Sequence, residues 1–249
     1  VNFVVNACKG DLGTSYATNQ DVFDSVITRM PATLKLAAFS MLLALVVSVP
    51  LGILAALKHN SIWDSLATAL ATVGVSLPKF WFGLVLMIVF SLRLGWLPST
   101  GSAELSEGLG TFLSYIIMPA ASLALGMAAT QTRMIRSSML DVLNQDYVRY
   151  ARSKGLRERV VIWGHALKNA MIPIITVTSI QVGSMLVGAV LVESVFAMGG
   201  LGDLLIKGIK AADYPVVQGV TLLMVFVFLC INLVVDILYA VLDPRIRMK

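Results

Sequence analysis

The sequence predicts an all-α protein, a polytopic transmembrane helical bundle. Three observations predict it. Of 249 residues, 57% are hydrophobic and only 13% are charged, where an ordinary soluble domain carries about 25% charged residues. Mean hydropathy is +0.84. The apolar residues also gather into long runs, and a soluble core of that size would still need a polar shell.

The runs are Leu34–Leu57 with Pro50, Leu66–Leu94 with Pro78, Phe112–Ile135 with Pro119, Met171–Phe196 and Val216–Leu242. At 1.5 Å per residue each is long enough to cross a hydrocarbon core of about 30 Å. The second reads as one kinked helix or as a helix plus a re-entrant turn; the kinked helix is favoured, because membrane helices tolerate proline where neighbours satisfy the freed backbone groups. About five spans divide the chain into an external segment, residues 1–33, and a membrane domain, residues 34–249.

Basic residues orient the bundle. With the C-terminus inside, the inner loops hold Lys58, then Arg133, Arg136, Arg149, Arg152, Lys154, Arg157, Arg159 and Lys168, then Arg245, Arg247 and Lys249. These are the majority of the lysines and arginines, so the C-terminus is expected in the cytoplasm. An outside N-terminus without a hydrophobic leader region predicts a further helix before Val1, giving six spans in the full-length chain. Cys8 and Cys230 are too differently placed to suggest a disulfide, and no Cys/His cluster has metal-ligand spacing. The positive charge is read as membrane orientation, not as nucleic-acid binding.

Residues 136–171 form the longest inner loop. Asp146 is placed as the N-cap of a helix Tyr147–Lys154, and Gly155 to end it in the left-handed conformation. A second helix follows, with Leu156, Val160, Trp163 and Leu167 on one stripe and Arg157, Glu158, Arg159 and His165 opposite. Such a stripe fits either a cytosolic partner or the lipid surface.

At this point the chain resembles the permeases of binding-protein-dependent ABC importers, in particular the first permease subunit of the dipeptide/oligopeptide/nickel branch. The carrying motifs are GDLGTSY, RMPATLKLA, SLPKFWFGL, LRLGWLPSTG, DYVRYARSKGL, HALKNAMIP, GAVLVESVFAMGGLGDLL, DYPVVQG and VDILYAVLDPRIR, in order along nearly the whole chain. The resemblance implies the type I ABC importer permease fold in a bacterial or archaeal inner membrane. It implies peptide import, with nickel, glutathione or sugars as alternatives. The implied partners are a second homologous permease, two cytosolic ATPases that carry the ATP and Mg²⁺, and an external substrate-binding protein. No cofactor is expected on this chain itself, and no catalytic residue. It has no G-x-x-x-x-G-K-[ST] phosphate loop.

The resemblance makes the inner loop an ATPase dock, with Tyr147, Arg149, Ala151, Gly155, Leu156, Val160, Trp163 and Leu167 as its site residues. The general importer pattern is Glu-Ala-Ala, three residues, Gly, nine residues, Ile-x-Leu-Pro. Anchored on Gly155, it retains only Ala151 and Leu167, with a proline later at Pro173. Helix-in-groove docking would let closing ATPases rock the membrane helices.

Polar groups in the spans need reasons. Lys79 reads as pathway lining or as a snorkelling residue at the Pro78 break. Glu193 reads as part of an outer gate or as a structural hydrogen-bond acceptor. Gln131, Gln181 and Ser184 are candidates for pathway lining. Asn232, Asp236 and Asp243 share a face, and Asp236 is offered as a partner for Arg133 or Arg136. Gly183 and Gly188 read as close-packing positions. Met198–Tyr214 predicts a short external helix on Leu201, Leu204, Leu205 and Ile209, and the resemblance implies that this segment meets the binding protein. A self-sufficient secondary transporter would need two repeated halves, and an intramembrane enzyme a convergent catalytic set; neither pattern is found in the sequence.

Overall fold

A computed structural model describes Ala7 and residues 10–242, with the backbone alone for His165, Ile172, Pro173, Thr176, Ser179, Val235, Asp236 and 238–242. The described residues are helical, and their single strand-like feature is an isolated bridge between Thr14 and Asp21. Three helices are long and apolar enough to span a membrane, and two bent helix pairs bring the number to as many as five. Asp243 and the basic C-terminal residues lie outside the described residues.

Helix α1 runs Val22–Leu57. Asp21 starts it, its carboxylate accepting the Asp24 N–H at 3.1 Å, the usual N-cap arrangement. The helix begins within the segment 1–33. Asn60, at φ +60°, turns the chain into α2, Ile62–Ser76.

The second apolar run is not one kinked helix. It is α2 followed by α3, Lys79–Leu86, which continues as a π-helical stretch Met87–Arg93. The two halves bend by 105° at the break. Proline disfavours helical geometry in the residue before it, and Leu77 is accordingly extended, at φ −80° and ψ 129°.

Helix α4, Leu109–Leu143, contains Pro119. Helix α5, Asp146–Ser153, is capped by Gln145 rather than Asp146, which is its first residue. Gly155 ends it as expected, at φ +78°. The Gly155 N–H donates to Arg152 O at 2.9 Å and the Leu156 N–H to Ala151 O at 3.4 Å, the paired closure of a Schellman motif. A helical turn Glu158–Val160 and a π-helical segment Val161–Ala166 lead without interruption into α6, Leu167–Phe196. Gly199, at φ +70°, turns into α7, Leu201–Lys210, and α8 runs Tyr214–Leu242.

The chain forms two compact units. One comprises the described residues up to Ser40, with Lys79–Leu123 and Gly183–Asn232. Its apolar core joins Leu12, Val22 and Val26 to Leu201, Leu204, Val216 and Val220. Leu205 packs at the edge of this core, whereas Ile209, expected on the same face, is exposed. Gly183 lies so close to Phe228 that a Cβ there would sit 2.0 Å from the ring. That is the small-residue contact through which membrane helices approach each other.

The other unit comprises Met41–Pro78, Ala124–Val182 and the described residues from Leu233. Its core unites Ile53, Ala56, Ile135, Met139, Ile162, Ala166, Ala170 and Ile174. A smaller cluster, Val148, Ala151 and Val161, seats α5.

Candidate functional site

The exposed surface of α5 and of the chain entering α6 is aromatic and aliphatic. Tyr147, Tyr150, Leu156, Val160 and Trp163 are all exposed, Trp163 at 60% of its area. Arg149 is exposed too. Large apolar side chains gathered outside a core commonly mark a binding surface. Tyr150 escaped the sequence reading, although its i+3 spacing from Tyr147 places both on one helical face.

Two predicted docking residues lie elsewhere. Ala151 is on the buried face of α5, packed with Val148 and Val161. Leu167 is half-buried against the Ile53–Ile135 cluster. The stripe was drawn with a period of 3.6 residues. The π segment 161–166 inserts an extra residue per turn, so Leu167 rotates inward while Trp163 stays out. Arg152 Nη2 donates to Glu158 Oε1 at 2.6 Å, fastening α5 to the following turn across Gly155.

Within the same unit, Asp64 at the start of α2 is 5% exposed. Arg136 of α4 grips it with two donors, Nε and Nη2, the latter at 2.7 Å from Oδ2. His59 Nδ1 and the Asn60 N–H each lie 3.1 Å from the same carboxylate. Arg136 is therefore held by Asp64; the side chain of Asp236, offered as a partner for Arg133 or Arg136, lies outside the described residues. Gln131 is fully buried. It accepts from Ser48 Oγ at 3.0 Å and donates to Thr178 Oγ1 at 2.9 Å, so it joins three helices and lines no open path in this unit. Gln181 is half-buried and Ser184 exposed, each with an interaction partner.

In the first unit, Glu193 is fully buried. Its Oε2 accepts the Gly202 N–H at 2.7 Å, and Thr33 Oγ1 accepts the Leu201 N–H at 2.9 Å. Both acceptors cap the first turn of α7, where backbone donors are unpaired and the helix dipole favours negative charge. A Cβ at Gly200 would lie 2.3 Å from Glu193 Oε2, so glycine admits the carboxylate. Glu193→Ala would leave a buried N–H unpaired, with an expected loss of about 1–3 kcal/mol. Thermal unfolding of the purified permease measures it, and Glu193→Gln, which keeps an acceptor, should lose less.

Lys79 is half-buried, and among the described residues no carboxylate reaches ion-pair distance. Its carbonyl accepts from Ser122 Oγ at 2.5 Å, and Gly188 leaves the room its ammonium occupies. Asp213, between α7 and α8, joins two sequence motifs, GDLGTSY and DYPVVQG. It accepts from Ser15 Oγ at 2.5 Å and from the Tyr16 N–H at 3.1 Å. Burial pushes its carboxyl up, but these and the neighbouring backbone donors outweigh that and hold it below the usual range.

The model of binding-protein-dependent transport system inner membrane components matches residues 48–248. The chain belongs to this family. It is the permease subunit of an ABC importer, a multi-pass membrane component and not an enzyme; ATP hydrolysis resides in a separate subunit. The di/tripeptide transport system permease protein DppB of Pseudomonas aeruginosa is 41% identical, over 99% of this permease and 80% of that protein. The glutathione transport system permease protein GsiC of Escherichia coli O6:H1 is also 41% identical, over 100% of this permease and 78% of that one. The fold matches that of the inward-facing MetNI methionine ABC transporter with a TM-score of 0.70. That likeness covers 88% of this permease and 96% of that chain at 17% identity.

Proposed function

We propose that this permease forms half of a translocation pathway for small peptides and couples it to cytosolic ATPases through the α5–α6 surface. The observation that carries the coupling is an exposed aromatic and aliphatic face shared by α5 and the helical segment Glu158–Ala166, which runs unbroken into α6. Amphipathic helices seat such faces in grooves of a partner. Tyr147, Leu156, Val160 and Trp163 are the contacting residues, with Arg149 at the rim. Ala151, Gly155 and Leu167 hold the shape behind them.

The assembly contains a second homologous permease, two ATPases carrying ATP and Mg²⁺, and an external binding protein that delivers the substrate. The C-terminus faces the cytoplasm, in keeping with the distribution of basic residues. Peptides are favoured by the names of the relatives, one of which carries di- and tripeptides and another glutathione, itself a small peptide. The complete complex in proteoliposomes is expected to take up labelled tripeptide only with ATP. Uptake driven by an ion gradient without the ATPases would overturn the reading. Uptake of glutathione with exclusion of ordinary tripeptides would replace the substrate.

A further inference from the structure

The α5–α6 surface carries charge as well as an apolar face. Between Asp146 and Trp163 stand five basic residues, Arg149, Arg152, Lys154, Arg157 and Arg159, against two acidic ones, Asp146 and Glu158. All are exposed. The two carboxylates are engaged within the loop itself. Glu158 accepts from Arg152 Nη2 at 2.6 Å, and Asp146 lies 3.9 Å from Arg149 Nη1. The second contact is open to water, and such pairs hold each other weakly. Lys154 reaches no carboxylate among the described residues; its ammonium lies over the Tyr150 ring, 4.6 Å from the centroid. Arg157 and Arg159 have no side-chain partner among the described residues. The surplus charge is therefore positive.

The fold fixes where that surplus sits. Val148, Ala151 and Val161 pack α5 onto the segment that follows it, and Gly155 makes the turn between them at φ +78°. Lys154 and Arg157 lie close on either side of the exposed Leu156, and Arg159 precedes the exposed Val160. Charges of one sign thus border an apolar centre. A polar rim around an apolar centre is the anatomy of a protein interface, and interfaces match a positive rim with a negative one. Where the general importer pattern opens with glutamate, this loop has Arg149. A groove suited to that glutamate would repel this loop.

A bilayer with anionic lipid is the competing surface. An interfacial helix lies in the membrane plane on one continuous apolar face. Here the exposed apolar side chains stand on two short elements, Asp146–Ser153 and Glu158–Ala166, that meet at a turn. That suits a groove better than a plane.

We propose that the ATPase groove receiving this surface is rimmed with carboxylates, and that Lys154, Arg157 and Arg159 steer the two proteins together. The proposal rests on the α5–α6 surface being the dock. Steering acts on the association rate and is screened by salt, because the Debye length shrinks from about 10 Å at about 0.1 M to about 3 Å at about 1 M.

The test places the permease pair in phosphatidylcholine nanodiscs and follows binding of its ATPase by surface plasmon resonance. The association rate is expected to fall roughly tenfold between about 0.05 M and about 0.5 M sodium chloride. Arg157→Glu with Arg159→Glu should slow association roughly tenfold at low salt and remove most of the salt dependence, with dissociation changed less than about twofold. Arg157→Lys with Arg159→Lys should behave as the unaltered permease, whereas Trp163→Asp should act mainly on dissociation. Association that is indifferent to salt, that quickens with salt, or that is unchanged in the glutamate variant would overturn the acidic rim. The unaltered complex alone can overturn it, so the test does not depend on any variant folding. Full binding by Trp163→Asp rejects the dock itself; weakened binding by Trp163→Asp with salt-indifferent association rejects the acidic rim alone. A second arm omits the ATPase and reads tryptophan fluorescence, with Trp163→Phe as the control that isolates Trp163. Quenching of Trp163 by brominated phosphatidylglycerol, absent with brominated phosphatidylcholine and absent in the glutamate variant, would give the surface to the membrane and sink the proposal.

Discussion

Trp163→Asp is expected to abolish co-purification of the ATPase while the permease still inserts and unfolds at an unchanged temperature. Trp163 is the largest exposed side chain on the α5–α6 surface and belongs to neither core cluster of its unit. Truncating an interface tryptophan that anchors a partner typically costs about 2–4 kcal/mol, and a carboxylate in an apolar groove adds its own desolvation penalty. A complex of micromolar strength would dissociate on a column. Leu167→Asp is a poorer test, although the sequence counts Leu167 among the dock residues. It would place a charge against Ile53 and Ile135 and damage the fold together with any docking. Gly155→Pro forms the third arm, because proline cannot adopt φ +78° and its missing N–H removes the bond to Arg152 O. Retained ATPase association in Trp163→Asp, seen by pull-down and size-exclusion chromatography, would reject this face as the dock.

The second large effect concerns Asp64 and Arg136. Asp64→Ala is expected to lower the stability of the permease by about 3 kcal/mol, since it leaves a guanidinium inside the fold without its carboxylate. Arg136 is 26% exposed at its side chain, so water recovers part of the loss, and the figure belongs at the lower end of that range. Arg136→Met should cost at least as much, because Asp64 is the more buried partner. The double variant Asp64→Leu with Arg136→Met should be more stable than either single one, as apolar replacement of a buried pair often is. Thermal unfolding in detergent reads all three. Strictly additive losses would show that the two residues act independently.

The helical class and the approximate spans were legible because a bilayer imposes a length and a composition on each crossing. The end of α5 was legible at Gly155 because positive φ has a residue signature. The sharp break at Leu77 was less so: Pro78 announced a disturbance, but a proline alone does not distinguish a gentle kink from a bend of 105°. Partner choice was not legible either. Arg136 and Asp64 lie 72 positions apart, and local periodicity says nothing at that range. Asp64 sits just ahead of the apolar run and drew no attention, although an aspartate so near a span needs a cation. Gln131 looked like pathway lining because polarity in a span is ambiguous until its partners, Ser48 and Thr178, are seen. The inward turn of Leu167 was hidden by the extra residue in each π turn, which any fixed helical period misses.

That same π segment, Val161–Ala166, carries the exposed Trp163 and leads directly into the stem of α6. In mechanical terms the stem is a push-rod and the segment is a swivel joint. A push along the rod passes into the first turns of α6 with little loss, since an α-helix hardly compresses. Slipping one residue from π to α geometry would instead turn the docking face by roughly 100° about the rod, with hardly any travel. A motor attached at this point can therefore deliver thrust or torque, depending on whether the joint is locked or slips.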